Sequence, residues 1–355
     1  MTVDAAPIRQ RRVVLTGHPN ATRTGRPRGA TLLASAAVLG ATAFAVWWAA
    51  RRAERANPPI GRFLEIDGVR LHYVERGAGE PVVLLHGNGS MIQDFATSGV
   101  LDRAAERYRV IVFDRPGYGY SARPRGRIWT PQAQAELLHK ALRKLGVNQA
   151  IVVGHSWGTL VAMALASMHP ESVRSLVLLA GYYFPTLRPD VMLLSPPALP
   201  VIGDVMRYTI SPILGWLMLP LLFRRFFGPA PVPPSFRAGF PVSMALRPSQ
   251  IRASAAETAL LIPAAVSLRR RYRDLTMPVV IVAGREDRHV DAAWQSAPLH
   301  RRLPGSTLRL VPGVGHMVHQ NAPDVVMEAI DQAAAMPRRA DRMASPAGFE
   351  PALPT

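Results

Sequence analysis

The 355-residue chain has no cysteine, which removes disulfides, thiolate metal sites and a cysteine nucleophile. That absence leaves the compartment open, because an oxidising space permits disulfides without requiring them. Lysine is scarce too, occurring only as Lys140 and Lys144, so arginine carries the net charge of +18. A charge of that size invites a nucleic-acid reading. No zinc-finger spacing, aromatic RNA-binding strand or dense basic run accompanies it in the later chain. Residues 1–62 alone hold ten arginines against Asp4 and Glu54, a surplus of eight. The arginine excess is read as compositional, and no nucleic-acid partner is expected. Charged residues make up only 19% of the chain and hydrophobic ones 48%, enough apolar material for a sizeable core.

Thr31 to Ala50 is a twenty-residue run without charge or proline. As a helix it spans about 30 Å, the thickness of a bilayer's hydrocarbon core. Trp47 and Trp48 stand near one end, where indole rings favour the interface, and Arg51, Arg52 and Arg55 close the run. Six arginines from Arg9 to Arg28 precede it. That modest excess favours an inside N-terminus and a single-pass anchor with the remainder on the non-cytoplasmic side. The alternatives are a signal peptide cleaved near Ala43-Phe44-Ala45, giving a secreted protein, and an Ala-rich buried helix, which the missing polar face disfavours. Arg11-Arg12 resembles a twin-arginine signal only faintly, since the apolar run starts far downstream. The expected layout is a basic tail (1–30), an anchor (31–50) and a catalytic region from residue 60.

From residue 62 the pattern is α/β. Asp67-Gly68 between Phe63–Ile66 and Val69–Tyr73 signals a two-residue hairpin. Short apolar runs follow at Val82–Leu85, Val110–Phe113, Ile151–Val153, Leu176–Leu179, Val279–Val282 and Leu308–Val311. Such runs suit parallel strands buried on both faces. Residues 131–145 and 157–169 have the spacing of covering helices, and right-handed crossovers make the sheet doubly wound. Between the last two pairs of strands a proline-rich stretch breaks the rhythm. This predicts a core in two parts, 60–181 and 276–335, separated by a helical cap at 182–275. The apolar run Ile210–Phe227 in that cap reads either as its own core or as a face that meets acyl chains or a membrane surface.

Gly154-His155-Ser156-Trp157-Gly158 lies between the strand Ile151–Val153 and a helix predicted from Thr159 to Met168, the setting of a nucleophile elbow. The glycines relieve crowding around a serine on a sharp, strained turn. A serine hydroxyl needs a base, and Gly315-His316 follows the strand ending at Val311, with His319 as runner-up. Asp287, after Ala283-Gly284, is the candidate orienting acid, with Glu286 and Asp291 as alternatives. The order Ser156, Asp287, His316 suits an α/β-hydrolase. The backbone N–H groups of Trp157 and of Asn88, in His86-Gly87-Asn88-Gly89, are the candidate oxyanion donors. No cofactor or metal is expected.

Taken together, HGNGS (86–90), DRPGYGYSARP (114–124), GHSWG (154–158), GRED (284–287) and GVGH (313–316) make residues 60–335 resemble the α/β-hydrolase superfamily, in its branch with one cap insertion. The resemblance implies a structural, pocket-rim role for Asp114–Ser121. It also discriminates among branches, since haloalkane dehalogenases and epoxide hydrolases of this family carry an aspartate where this chain has Ser156. Serine implies acyl chemistry on a carboxylic ester or related compound. Carbon–carbon bond hydrolysis and cofactor-free perhydrolysis on the same triad stay open, as does a non-catalytic ligand-binding role. HGNG in place of HGGG lowers the case for a bulky-alcohol lipase. The tail 336–355 is expected to be disordered. Its Gly-Phe-Glu-Pro can be encoded across a tRNA T-arm sequence, so it is expected to have no selected role.

Overall fold

The computed structural model describes Thr2 and residues 28–337. The expectations for the basic tail before Arg28 and for the tail from residue 338 onward lie outside the described residues, Thr2 apart.

Eight strands form one sheet: β1 (Arg62–Ile66), β2 (Val69–Arg76), β3 (Pro81–Leu85), β4 (Arg109–Phe113), β5 (Ala150–His155), β6 (Val173–Leu179), β7 (Val279–Gly284) and β8 (Thr307–Val311). Their order across the sheet is β1-β2-β4-β3-β5-β6-β7-β8. The β1–β2 hairpin turns on Asp67 and Gly68, both left-handed (φ 50° and 72°), the backbone that a twisted two-residue turn requires. β2 is antiparallel to β4, and every pair from β4 to β8 is parallel.

Each central strand supplies two cores because successive side chains point to opposite faces. Val83, Leu85, Ile111, Val152, Leu178 and Ile281 join one core, with the helices Pro131–Lys144 and Trp157–Met168. Val82, Leu84, Val112, Val153, Leu179 and Val282 join the other, with Val100–Ala105 and Pro323–Ala335. Both faces are thereby shielded, which is why the runs are continuously apolar.

Between β6 and β7 come six helices: Pro189–Leu194, Ile202–Tyr208, Ile210–Phe227, Pro234–Gly239, Val242–Ala245 and Pro248–Leu268. Proline opens three of them, where its missing N–H costs nothing, so the richness in proline punctuates helices here. This fold is α/β with a mostly parallel doubly wound sheet and a helical insertion.

The first described helix, Arg28–Ala56, has 29 residues, longer than its apolar run because arginine continues a helix well. Thr31–Ala56 is long and apolar enough to cross a membrane, and none of its apolar window is buried. The chain divides into units up to Ala41 and from Thr42, so the end of this helix belongs with the sheet. Ala53 there is buried against Met91 and Met244. The Tyr120 hydroxyl donates to the carbonyls of Glu54 (3.0 Å) and Asn57 (2.6 Å), and Arg247 pairs with Glu54 at 2.9 Å.

Candidate active site

Because β3, β5, β7 and β8 run parallel, their carboxyl ends share one edge of the sheet, and four loops leave from it. Ser156 follows β5 directly, with φ 52° and ψ −118°, a left-handed conformation unusual for serine. Its N–H donates to the Leu179 carbonyl at 2.9 Å. The flanking glycines are sterically obligatory. A Cβ on Gly158 would stand 2.2 Å from the Leu85 carbonyl oxygen, and one on Gly154 would stand 2.7 Å from the Gly158 carbonyl. The helix begins at Trp157, as the spacing of 157–169 suggested and two residues before the start at Thr159 drawn for the elbow.

His316 and Asp287 are both buried, and His316 Nδ1 lies 2.8 Å from Asp287 Oδ2. The other carboxylate oxygen of Asp287 accepts from the N–H groups of His289 (2.8 Å) and Val290 (2.9 Å). That leaves His316 Nε2 as the nitrogen not committed to Asp287. The runner-up residues are engaged elsewhere. Glu286 accepts from Gly313 N–H at 2.8 Å, Asp291 from Ala293 N–H at 2.7 Å, and His319 Nε2 lies 2.9 Å from Asp94.

The His86–Gly89 loop is held from behind by Arg115. Its Nε donates to the His86 carbonyl at 2.8 Å and its Nη2 to the Gly87 carbonyl at 2.9 Å. In a trans peptide the following N–H points the opposite way, so Asn88 N–H is directed away from Arg115. The Asn88 side chain is tied to Thr258 (3.0 Å) and accepts from Tyr118 (2.7 Å). Arg115 is itself fully buried and paired with buried Glu257, 3.0 Å between Nη2 and Oε2. Asp114 accepts from Ile92 N–H (2.9 Å) and Tyr120 N–H (3.0 Å). The Asp114–Ser121 run is largely buried and scaffolds the neighbouring loop, in keeping with the structural part of the role that the resemblance implied.

Several contacts here had no sequence motif. Phe226, at the end of the insertion's apolar helix, accepts through its carbonyl from His316 N–H (2.8 Å) and Met317 N–H (3.2 Å). A Cβ on Gly315 would stand 2.3 Å from the Gly228 carbonyl, which explains the glycine before His316. His289 stacks edge-on to His316 at 4.8 Å, and burial with that neighbour pushes its imidazole well below the usual range. Glu257 had one available signal, as the single acid in the helix Pro248–Leu268.

Asp94, His155 and His319 place one potential ligand atom each within 4.8 Å of the others, which fits the donor set of a metal. One nitrogen of each imidazole bonds to protein, His319 Nε2 to Asp94 and His155 Nε2 to the His316 carbonyl at 3.1 Å, while both buried Nδ1 atoms have no partner among the described residues. Burial, then His319, push His155 well below its ordinary value. Burial alone would raise Asp94, but the charge of His319 and its hydrogen bond hold it below the carboxylate range. The cluster is read as a hydrogen-bonded support behind His316.

A family model described as the alpha/beta hydrolase fold matches residues 80–323. The chain belongs to that family. Among curated relatives of this α/β hydrolase, 2-hydroxymuconate semialdehyde hydrolase of Pseudomonas putida is 37% identical over 135 residues, 38% of this chain and 48% of the relative. The chain thus spans about half the length of the first relatives it matches, 48% in each. 2-(Acetamidomethylene)succinate hydrolase of Mesorhizobium japonicum is 28% identical over 76% of this chain and 94% of its own length. Among solved structures, a membrane phospholipase A superposes with a TM-score of 0.60 at 20% identity, covering 86% of this α/β hydrolase and 97% of that chain. That likeness is one of fold.

Proposed function

We propose that this α/β hydrolase is a serine hydrolase of carboxylic esters or related acyl compounds, held at a membrane by its N-terminal helix. The observation that carries the reading is the 2.8 Å contact of His316 Nδ1 with Asp287, on loops at the same sheet edge as the strained Ser156 turn. With Nδ1 engaged, His316 Nε2 takes the hydroxyl proton as Ser156 Oγ bonds to the substrate carbonyl carbon. The oxyanion is stabilised by the N–H groups of Asn88 and Trp157. The imidazolium returns its proton to the departing alkoxide, the carbonyl–alkoxide bond breaks, and an acyl-enzyme remains. Water gives a proton to His316 and its hydroxide to the acyl carbon; the carbonyl–Oγ bond then breaks, His316 passes that proton to Ser156 Oγ, and the acid is released. The arginines ahead of the anchor favour a non-cytoplasmic catalytic side.

A second reading is favoured by the relatives, which act on 2-hydroxymuconate semialdehyde and on 2-hydroxy-6-oxo-2,4-heptadienoate. Here the same residues would hydrolyse a carbon–carbon bond beside a ketone, with a carbanion equivalent as leaving group. Turnover of p-nitrophenyl butyrate and of 2-hydroxymuconate semialdehyde, compared in one preparation, separates the two. Ser156→Ala and His316→Ala should each lower kcat by about 10⁴-fold or more on the preferred substrate. Retention of turnover by folded Ser156→Ala would rule out the serine mechanism for both.

A further inference from the structure

The insertion exposes more apolar side chain than the body requires. Helix Ile210–Phe227 has no charge before Arg224, and Phe227 is its one fully buried residue. Ile210, Ile213, Leu214, Leu217 and Leu221 recur at three- and four-residue steps, which places them on one helix face, and each is 45–63% exposed. Trp216 beside them is 65% exposed. Other positions already fasten the helix to the body. Gly215 fits against Leu246, where a Cβ would come within 2.7 Å, and Phe223 packs edge-on to Phe236 at 5.8 Å. A helix lying on a water-covered body carries a polar outer stripe. This one is apolar on both sides.

Three observations indicate what covers it. Leu246, which seats Gly215, adjoins Arg247, and Arg247 grips Glu54 at the end of the N-terminal helix. The body-facing side of this helix is thus seated on the segment that grips the end of the membrane-spanning candidate. That helix also marks a depth. Trp47 and Trp48, with Arg51 and Arg52 stacked on their rings, are side chains that favour a bilayer interface. Buried Ala53 follows Trp48 by five residues, about 7.5 Å of helical rise. The body therefore starts at headgroup level, within the 5–10 Å that an interfacial helix sinks. Finally, exposed Arg224 and Arg225 close the stripe with cations suited to lipid phosphate.

We propose that the outer face of Ile210–Phe227 is a second membrane contact, lying in the headgroup–acyl boundary of the bilayer that the N-terminal helix crosses. The contact does not depend on the reaction catalysed. The last turn of that helix includes Phe226, whose carbonyl accepts from His316 N–H, so the lipid-facing element and the candidate base are joined.

The absence of cysteine makes the test direct. Leu217→Cys and, as control, exposed Asn148→Cys are introduced singly into the full-length chain and labelled with an environment-sensitive nitrobenzoxadiazole probe. The labelled proteins are reconstituted in phosphatidylcholine–phosphatidylglycerol vesicles, with near-ultraviolet circular dichroism as the check on folding. A blue-shifted emission at position 217, with loss of intensity when doxyl-labelled lipids are included, is expected; position 148 should show neither. Adding Leu214→Asp should reverse the shift at 217 while hydrolysis of a water-soluble ester persists. Water-like emission at 217 would overturn the proposal. So would a blue shift without lipid quenching, which would mean that a second copy of the chain covers the face.

Discussion

At the scale of single residues, backbone space decides more than side-chain chemistry. Gly158 faces the Leu85 carbonyl at a distance no Cβ tolerates, so Gly158→Ala must displace either β3 or the Ser156 turn. Gly68 has open space around it but a φ of 72°. Gly68→Ala should therefore cost only about 1–2 kcal/mol, read from urea unfolding, and leave kcat unchanged. Gly158→Ala should yield little soluble protein; near-normal stability would show that the close approach is relieved elsewhere. Asp287→Asn leaves shape intact but cannot hold the imidazolium, so kcat should fall by about 10⁴-fold with little change in melting temperature.

Buried imidazoles set a pH dependence at the same scale. Burial, then Arg115, lower His86 to about 4, and His155 and His289 lie well below their ordinary value as well. As pH falls below about 6.5 the unfolded chain takes up protons that these folded-state groups refuse. Their contribution is complete above pH 6.5 and drains away down to the folded-state value, about 4 for His86. For His86 alone this amounts to about 3 kcal/mol. Stability followed by urea unfolding should decline between pH 7 and pH 5, and a flat profile over that interval would refute the assignment.

Among elements, the helix Pro248–Leu268 and the His86–Gly89 loop are coupled through one buried ion pair. Arg115 bonds both loop carbonyls and Glu257, so the loop's geometry depends on a residue far away in sequence. Glu257→Ala leaves an unpaired buried guanidinium and should cost about 3–5 kcal/mol. Its surviving activity should show a lower kcat with a smaller change in KM, because the loop carries the proposed oxyanion donor and not the substrate's distal contacts. Glu257→Gln, which retains a hydrogen-bond acceptor, should recover part of both. Equal losses in the two variants would argue that the charge itself matters.

For the whole molecule, the decisive joint is where the apolar N-terminal helix meets the sheet-bearing body. Arg247 and Tyr120 clamp Glu54 and Asn57 there. Arg247→Ala should loosen that joint and speed tryptic cleavage after Arg52 and Arg55 several-fold, because proteolysis follows local opening. Cleavage at the unaltered rate would mean that Ala53 packing alone holds the helix end.

The strand runs, the hairpin at Asp67-Gly68, the apolar helix and the motif order were legible in the sequence, since each is a contiguous pattern: an unbroken apolar run, a turn with a required φ or a short motif. Local pattern also named Ser156, and it offered three acids and two histidines as partners. Choosing among those needed the fold. Glu286 and Asp291 turn to backbone N–H groups beside them, His319 turns to Asp94, and only Asp287 and His316 meet. The pairings of Arg115 with Glu257 and of His316 with the Phe226 carbonyl could not be read locally either, because contacts across 142 and 90 residues leave no local trace. Sequence determined which segments are strands, which run is apolar enough for a bilayer and where a strained serine turn lies. Tertiary structure decided which charges cancel and which loops touch, because those depend on elements brought together by a sheet whose order differs from the order of the chain.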